Sequence, residues 1–546
     1  MEEKSSKRYD ALIIAAILIS SAFFYYFTAA LPQPTNDDIY YMSIAYSLIS
    51  GGPLFKAYPF FVAFGVVFPL ALLYKAFGFN MLTGIYYQIF LTLVSTLLVY
   101  KIASLYSRYS GVIAAAIFAF LPAVAGTANA ISPDMFTLMC ALAAVLALLI
   151  YRRRHTKRLK QYAMLILSGF FAFATTFGNF MGYVFIAFYL LATAYIMISE
   201  GRGRLFLLVL LGIGIGFLLS VPPDYIMASN IELLSIGNTK YPFLAANWYL
   251  FRFFVGAPPS AYRISINPYS FFSNLTSTLL LTPSEAANQP VVTEFVWPYA
   301  YGALFYLAVI SSFLLFRYKK IKAQGFFITW AAFMGLPQLF IALMMYDNSV
   351  VYYFSSVIEN ITAFRFELLL VTPIVIVCSY ALSLYLEKAN SKKNGRQISY
   401  AIVIALLIVM IATSIYSTLQ YSQKLSYATN TAYYGIQQMA VELHELNASA
   451  SEGIYLPSVM EPFVSGKEDF MAYSTLYGVN PASFKQLPNN CTEIPSNSYV
   501  ILANTAIDPN FFVNAESYFR NCPNVVKIYN TSHGFVNYYY TLYEIR

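Results

Sequence analysis

Apolar runs of about 20 residues, separated by short clusters of Lys and Arg, recur from the N-terminus to about residue 420. At about 1.5 Å per helical residue, each can cross a hydrocarbon core of about 30 Å. The pattern predicts eleven transmembrane helices, near 11–30, 81–101, 111–127, 134–151, 162–178, 180–198, 205–221, 298–316, 325–346, 366–386 and 398–420. The apolar stretch 59–77 is interrupted by Pro59, Gly65 and Pro69 and carries Lys75, so it reads as a helix lying along or partly within the outer leaflet. Beyond residue 424 the pattern changes. Short β-branched or aromatic runs at 453–456, 499–502, 525–529 and 535–543 alternate with helix-like stretches at 430–447 and 511–520, as in a layered α/β domain. The expected fold class is a mainly α polytopic membrane protein, with a transmembrane region over 1–423 and a C-terminal α/β domain over 424–546.

Charge supplies the topology. Of the 33 Lys and Arg, 21 lie in six clusters: Lys4 to Arg8, Lys101 with Arg108, Arg152 to Lys160, Arg202 with Arg204, Arg317 to Lys322, and Lys388 to Arg396. The positive-inside rule places all six in the cytoplasm, which demands an even number of crossings between neighbouring clusters. Parity excludes 59–77 as a span and leaves the N-terminus inside, the C-terminus outside, and external segments at 31–80 and 222–297. The run 11–30 exceeds the usual signal-peptide core and reads as an anchor. Five Asn-x-Ser/Thr sequons, at Asn274, Asn360, Asn447, Asn490 and Asn530, all fall on the external side; their number is at chance level and only the placement adds support. With 59% hydrophobic residues, 11% charged and a mean hydropathy of +0.60, a string of soluble domains is excluded. The net charge of +8 therefore reports topology and implies no nucleic-acid partner. Cys140 and Cys378 sit within apolar spans, so Cys491 and Cys522 are the pair able to form a disulfide.

Candidate chemistry is narrowed by absences. His155, His444 and His533 are the only histidines; there is no H-E-x-x-H, no zinc-like Cys/His spacing and no Gly-rich phosphate loop. Carboxylates at the external rim remain. The segment from Pro34 to Gly52 opens with Asn36, a good N-cap, then Asp37 and Asp38 at the positive end of the helix dipole, and closes with Gly51-Gly52. Ser132-Pro133-Asp134 is likewise a standard helix start, with Ser at the N-cap and Pro at the first turn. Local propensity accounts for each of these residues.

The same residues, in order, resemble the GT-C superfamily of membrane glycosyltransferases, especially the branch of protein O-mannosyltransferases and lipid A aminoarabinose transferases. That family's first external loop has an acidic pair, a Tyr about four residues on, and a small-residue helix ending in Gly; Asp37, Asp38, Tyr41 and Gly52 stand at those places, with Asp for the usual Glu. The family's Lys-Pro step is Tyr58-Pro59 here, whereas the Phe-Gly ending of its juxtamembrane helix is kept as Phe77-Gly78. A loop acid at Asp134 and the Arg365-Phe366 step before the Pro373 span extend the likeness over roughly 10–390.

The resemblance implies a GT-C fold and an inverting glycosyl transfer from a polyprenyl (dolichyl) phosphate sugar to an extracytoplasmic acceptor. It needs no nucleotide site and leaves a divalent metal open. It implies Asp37 as general base, with Asp38 and Asp134 beside it. Because adjacent carboxylates repel and a departing phosphate needs a cation, a basic group is expected nearby. Arg365 is the first candidate, with Lys56 and Tyr58 next at the departed Lys-Pro step and Lys75, Lys240, Arg252 and Arg263 as lesser ones. Trp248, Trp297 and Trp330 are isolated, so the Trp-Trp-Asp motif of oligosaccharyltransferases is absent and transfer of a preassembled glycan is disfavoured. The rival expectation is a transporter or envelope-assembly protein using the acidic pair for ion coupling; against it, the pair follows the first span instead of lying mid-membrane.

Overall fold

The computed structural model describes residues 2–28, 36–50, 55–57, 62–79, 81–153, 158–179, 181–233, 237–248, 297–345, 368–390, 396–457, 474, 477–480, 483–505, 515–522, 524–531 and 538–546. Its first part is helical: α1 (Glu2–Thr28), α2 (Asn36–Ser50), α3 (Phe64–Phe77), α4 (Met81–Ser104), α5 (Arg108–Ala119), α6 (Pro122–Ala128), α7 (Asp134–Arg152), α8 (Arg158–Ala174), α9 (Met181–Ser199) and α10 (Phe206–Met227). Helices Trp297–Arg317, Gly325–Met345, Leu368–Asn390 and Arg396–Glu445 follow. Among the described residues, seven stretches are long and apolar enough to cross a bilayer: Tyr9–Thr28, Leu82–Ser104, Asp134–Arg152, Met181–Ser199, Gly203–Met227, Leu368–Asn390 and Gln397–Tyr416. The chain is a multi-pass membrane protein.

Three local differences from the sequence pattern have physical causes. The range 111–127 is not one helix: α5 ends at Ala119 and α6 restarts at Pro122, because proline cannot donate to the preceding turn. Conversely, α10 continues through Pro222-Pro223 to Met227, six residues past the expected end at 221. A helix packed among neighbours tolerates the lost hydrogen bonds. The helix Arg396–Glu445 is continuous for 50 residues, about 75 Å at helical rise, where a span and a separate later helix were expected.

Helix α3 is only 14 residues long and contains Pro69, yet Phe64, Val66, Val67, Leu70 and Tyr74 are buried. It packs into the bundle with one face and leaves Leu72 and Phe77 exposed. Helices α8 and α10 touch backbone to backbone: a Cβ on Gly169 would collide with Val209 O, and one on Gly212 with Ile166 O. Glycine at such crossings gains dispersion where the hydrophobic effect between helices is weak.

The C-terminal sheet has strands β3 (Gly453–Leu456), β4 (Phe484–Gln486), β5 (Ser498–Thr505), β6 (Val525–Asn530) and β7 (Tyr538–Ile545), in the order β4-β3-β5-β7-β6. β3 pairs parallel with β4 and β5, whereas β7 runs antiparallel to β5 and β6. Its core includes Tyr455, Val500, Leu502 and Ile545. Cys491 and Cys522 are joined by a disulfide with Cα atoms 6.1 Å apart, and Cys140 and Cys378 are buried free thiols. Closing a loop of this length stabilises such a domain by about 3–4 kcal/mol in the chain-entropy account.

Candidate active site

The helix bundle has two chemically opposite ends. At one, Arg108 forms a two-pronged contact with Asp10 (Nε to Oδ2 2.6 Å, Nη2 to Oδ1 2.8 Å), and Ser107 donates to Glu387 at 2.6 Å. Arg153 donates to Leu105 O, Arg152 pairs with Glu200 at 3.1 Å, and Arg202 donates to the Tyr151 hydroxyl at 3.3 Å. These contacts gather the ends of α1, α4, α5, α7, α9 and Leu368–Asn390 that carry basic residues.

The other end gathers carboxylates. Asp37 and Asp38 lie in the first turn of α2, which has Asn36 as its first helical residue. Asp38 is 2% exposed. Burial holds the hydroxyl of Tyr74 of α3 well above the usual tyrosine range, with a smaller contribution from the charge of Asp38. That hydroxyl lies 3.5 Å from where a Cβ on Gly84 of α4 would be, and Ile131 fills the same space, so the α2–α3 pair meets the loop before α7 at a glycine.

Asp134 is the first residue of α7 and is 4% exposed. The local expectation is overturned in detail: Pro133 is the cap residue, and no side chain caps the helix, so the Ser132 hydroxyl does not serve as the N-cap. Two long-range contacts fix the acid instead. Asn179 Nδ2 donates to Asp134 Oδ1, while Asn179 Oδ1 accepts from Met181 N at 3.0 Å, which locks the amide. Gly178 makes this reach feasible, since a Cβ there would collide with Thr137 Oγ1 and lie 2.8 Å from Pro133 O. From the other side, Gln88 Nε2 donates to Ser132 O at 2.8 Å, two residues before the acid.

A third buried carboxylate, Asp224 near the end of α10, accepts from the backbone N–H of Phe243 and from that of Leu244 at 3.2 Å. It anchors the start of the short helix at 242–248, whose Phe243 ring packs on Phe64 of α3 at 4.6 Å and on Phe177 at 5.9 Å. The segments after α1 and after α10 are tied once more by parallel pairing of β1 (Phe55–Ala57) with β2 (Ile231–Leu233), which places Lys56 opposite Glu232, and by Ser47 Oγ donating to Asn230 O at 3.4 Å.

Tyr74 and Ile131 thus meet at Gly84, Ile131 lies three residues before Asp134, and the charge of Asp38 acts on the Tyr74 hydroxyl. Asp37 shares the first turn with Asp38, and Lys56 is placed by its strand backbone. Arg365 and Tyr58 lie outside the described residues, as do Arg252 and Arg263; Lys75 and Lys240 are exposed. Sequence reading did not single out Gln88, Tyr74, Asn179 or Asp224. Asp224 alone carried a signal, an acid directly after an apolar run and Pro222-Pro223. Among the described residues no three His, Cys, Asp or Glu side chains converge as a metal-binding group, so the described side chains do not by themselves compose a metal centre.

No protein-family description and no curated protein matches the chain. Solved structures do. ArnT from Cupriavidus metallidurans in the apo state is similar with a TM-score of 0.57 and 9% identity, over 98% of this chain and 98% of that one. ArnT bound to undecaprenyl phosphate gives 0.51 and 11%, over 97% of each. The archaeal oligosaccharyltransferase AglB from Archaeoglobus fulgidus, in complex with an inhibitory peptide and a dolichol-phosphate, gives 0.52 and 13%, over 89% of this chain and 69% of that one. At such identities the likeness is one of architecture: the chain shares the fold of these ArnT and AglB structures.

Proposed function

We propose that the chain is an integral-membrane inverting glycosyltransferase that moves one sugar from a polyprenyl (dolichyl) phosphate donor to an extracytoplasmic acceptor, whether protein, glycan or lipid. The observation that carries the reading is the presence of buried Asp38 and Asp134, from separate helices, at the bundle end opposite the basic one, with Asp134 held by Asn179. Whole-length similarity to ArnT, a structure of which holds undecaprenyl phosphate, supports a lipid-linked donor.

In this mechanism the acceptor oxygen attacks the anomeric carbon as the bond from that carbon to the phosphate oxygen breaks. The acceptor proton passes to the Asp37 carboxylate, and polyprenyl phosphate leaves with the bonding electrons. Developing charge on the phosphate is met by Arg365, with Lys56 and Tyr58 beside it, since fixed donors stabilise charge that appears only in the transition state. Asp134, clamped by Asn179, orders substrate hydroxyls. The C-terminal domain, 424–546, is an extracytoplasmic accessory on the acceptor side.

Mass-spectrometric comparison of glycans from a wild-type and a deletion strain tests the activity: one class of glycoconjugate should lose a single sugar residue, and identical profiles would remove the proposal. The sidedness has its own test. Cysteines introduced at Ser50 and Ser465 should react with a membrane-impermeant thiol reagent in sealed cells, and one at Thr156 should not. Labelling at Thr156 would invert the map and put the acids in the cytoplasm.

A further inference from the structure

Beside the turn that bears Asp134 lies a set of polar atoms that the mechanism above does not use. The Tyr74 hydroxyl, Gln88 Oε1 and Ser132 Oγ have no hydrogen-bond partner among the described residues, and their side chains are 2%, 0% and 0% exposed. They surround one stretch of α4. Tyr74 reaches Gly84, Gln88 is one turn further along the same face, and its amide nitrogen is bonded to the Ser132 carbonyl. A carbonyl can only accept, so Nε2 must face Ser132 O and Oε1 must be the atom left over. Asn129 Oδ1, at the start of the same turn, is also unpartnered, although its Nδ2 donates to Thr28 Oγ1 at 3.0 Å.

Each buried polar atom without a partner costs about 1–3 kcal/mol, so several around one turn call for a ligand that supplies the missing donors and acceptors. The set is neutral and sits beside two carboxylates, which disfavours a phosphate and favours hydroxyl groups. Gln88 is seven residues, about 10 Å, inside the start of α4, so the ligand enters the bundle instead of resting on its rim. We propose that Tyr74, Gln88 and Ser132 form a hydroxyl-recognition subsite that selects the sugar of the lipid-linked donor; this rests on the glycosyl-transfer reading. A hydroxyl-bearing sugar would satisfy all three at once, and a sugar lacking the matching hydroxyl would leave them unpaired, which is the arrangement that discriminates most strongly between close analogues.

Tyr74→Phe and Ser132→Ala test the subsite, because each deletes only an unpartnered hydroxyl and leaves the described hydrogen bonds of Gln88 and Asn179 intact. The purified full-length protein in detergent is titrated with dolichyl phosphate, with a panel of dolichyl-phosphate hexoses and pentoses, and with the corresponding free methyl glycosides, alongside thermal unfolding without ligand. Unliganded variants should melt at or above the wild-type temperature. Wild type should bind one glycosylated lipid more tightly than bare dolichyl phosphate, and each variant should shrink that preference by about 5- to 100-fold while binding the bare lipid as before. Preference retained in both variants, or a wild type indifferent to every sugar on the panel, overturns the subsite and leaves the orphan atoms as buried-water partners only. If the variants instead weaken only the matching free methyl glycoside, the hydroxyls are the acceptor's and the donor assignment falls. A wild type that binds neither bare nor glycosylated lipid removes the glycosyl-transfer reading itself.

Discussion

Asp37→Asn is expected to fold as the wild type does and to lower turnover by about 10²- to 10⁴-fold, with donor binding largely preserved. The amide keeps the size of the side chain and its place in the first turn of α2, but cannot take a proton from the acceptor. Asp38→Asn should act differently, because Asp38 is buried and its charge bears on Tyr74; its main effect should be a lower thermal midpoint, with a smaller loss of rate. If both acids served only the helix dipole, each change would cost a few tenths to about 1 kcal/mol of stability and leave the rate per folded molecule untouched. Single-turnover assays on purified, folded Asp37→Asn separate the two accounts. Sugar transfer at the wild-type rate would eliminate Asp37 as the base and favour an ion-coupling role for the pair.

Asp134→Asn should be the next most damaging change, about 10²- to 10³-fold in kcat, if its carboxylate orders substrate hydroxyls in the transition state. The loss should come with intact folding of α7, since no side chain caps that helix and Thr137 N already bonds Pro133 O at 3.0 Å. Asn179→Ala is the informative companion. It leaves Asp134 charged but releases one oxygen, and a misplacement of about 1 Å costs up to about 10²-fold in an oriented reaction. Asn179 is a positioning residue, so the reading requires kcat to fall more than donor KM rises, with Asn179→Gln recovering part of the loss. Proportional losses of folded protein and of rate, with normal kcat per folded molecule, would reduce both residues to a structural role.

The two acids differ in how legible they were. Asp37 and Asp38 stand out in the sequence because a dipole-compatible acidic pair follows an apolar anchor, and the helix they open is where the local pattern puts it. Asp134 looked like an ordinary helix start from Ser132 and Pro133, yet the Ser132 hydroxyl caps nothing; it lies buried, facing the bundle. Nothing local to Asn179 or Gln88 signals a role. Their contacts span 45 and 44 positions of chain; Gly178 lets its backbone approach Pro133, and Gly84 leaves room for the Ile131 side chain of the turn that Gln88 holds. Runs of β-branched and aromatic residues marked β3, β5, β6 and β7 but not the three-residue β4, and the order β4-β3-β5-β7-β6 was not readable from them. Pairing depends on which edges meet, and that is not a property of any single run.

By itself the sequence determined the quantities that depend on short windows: which stretches are apolar enough for a bilayer, where the helix opened by Asp37 and Asp38 and the longer C-terminal strands fall, and that Cys491 and Cys522 were the pair free to join. Hydropathy and propensity act within about one turn or one strand, so they survive in a linear reading. The tertiary structure alone decided that 111–127 breaks at Pro122, that α10 runs on through two prolines, and that Asn179 and Gln88 hold the turn bearing Asp134. Each is settled by packing between segments distant in the chain, where one glycine or one buried amide determines whether two polar groups can meet, and no window short enough to read locally contains both partners.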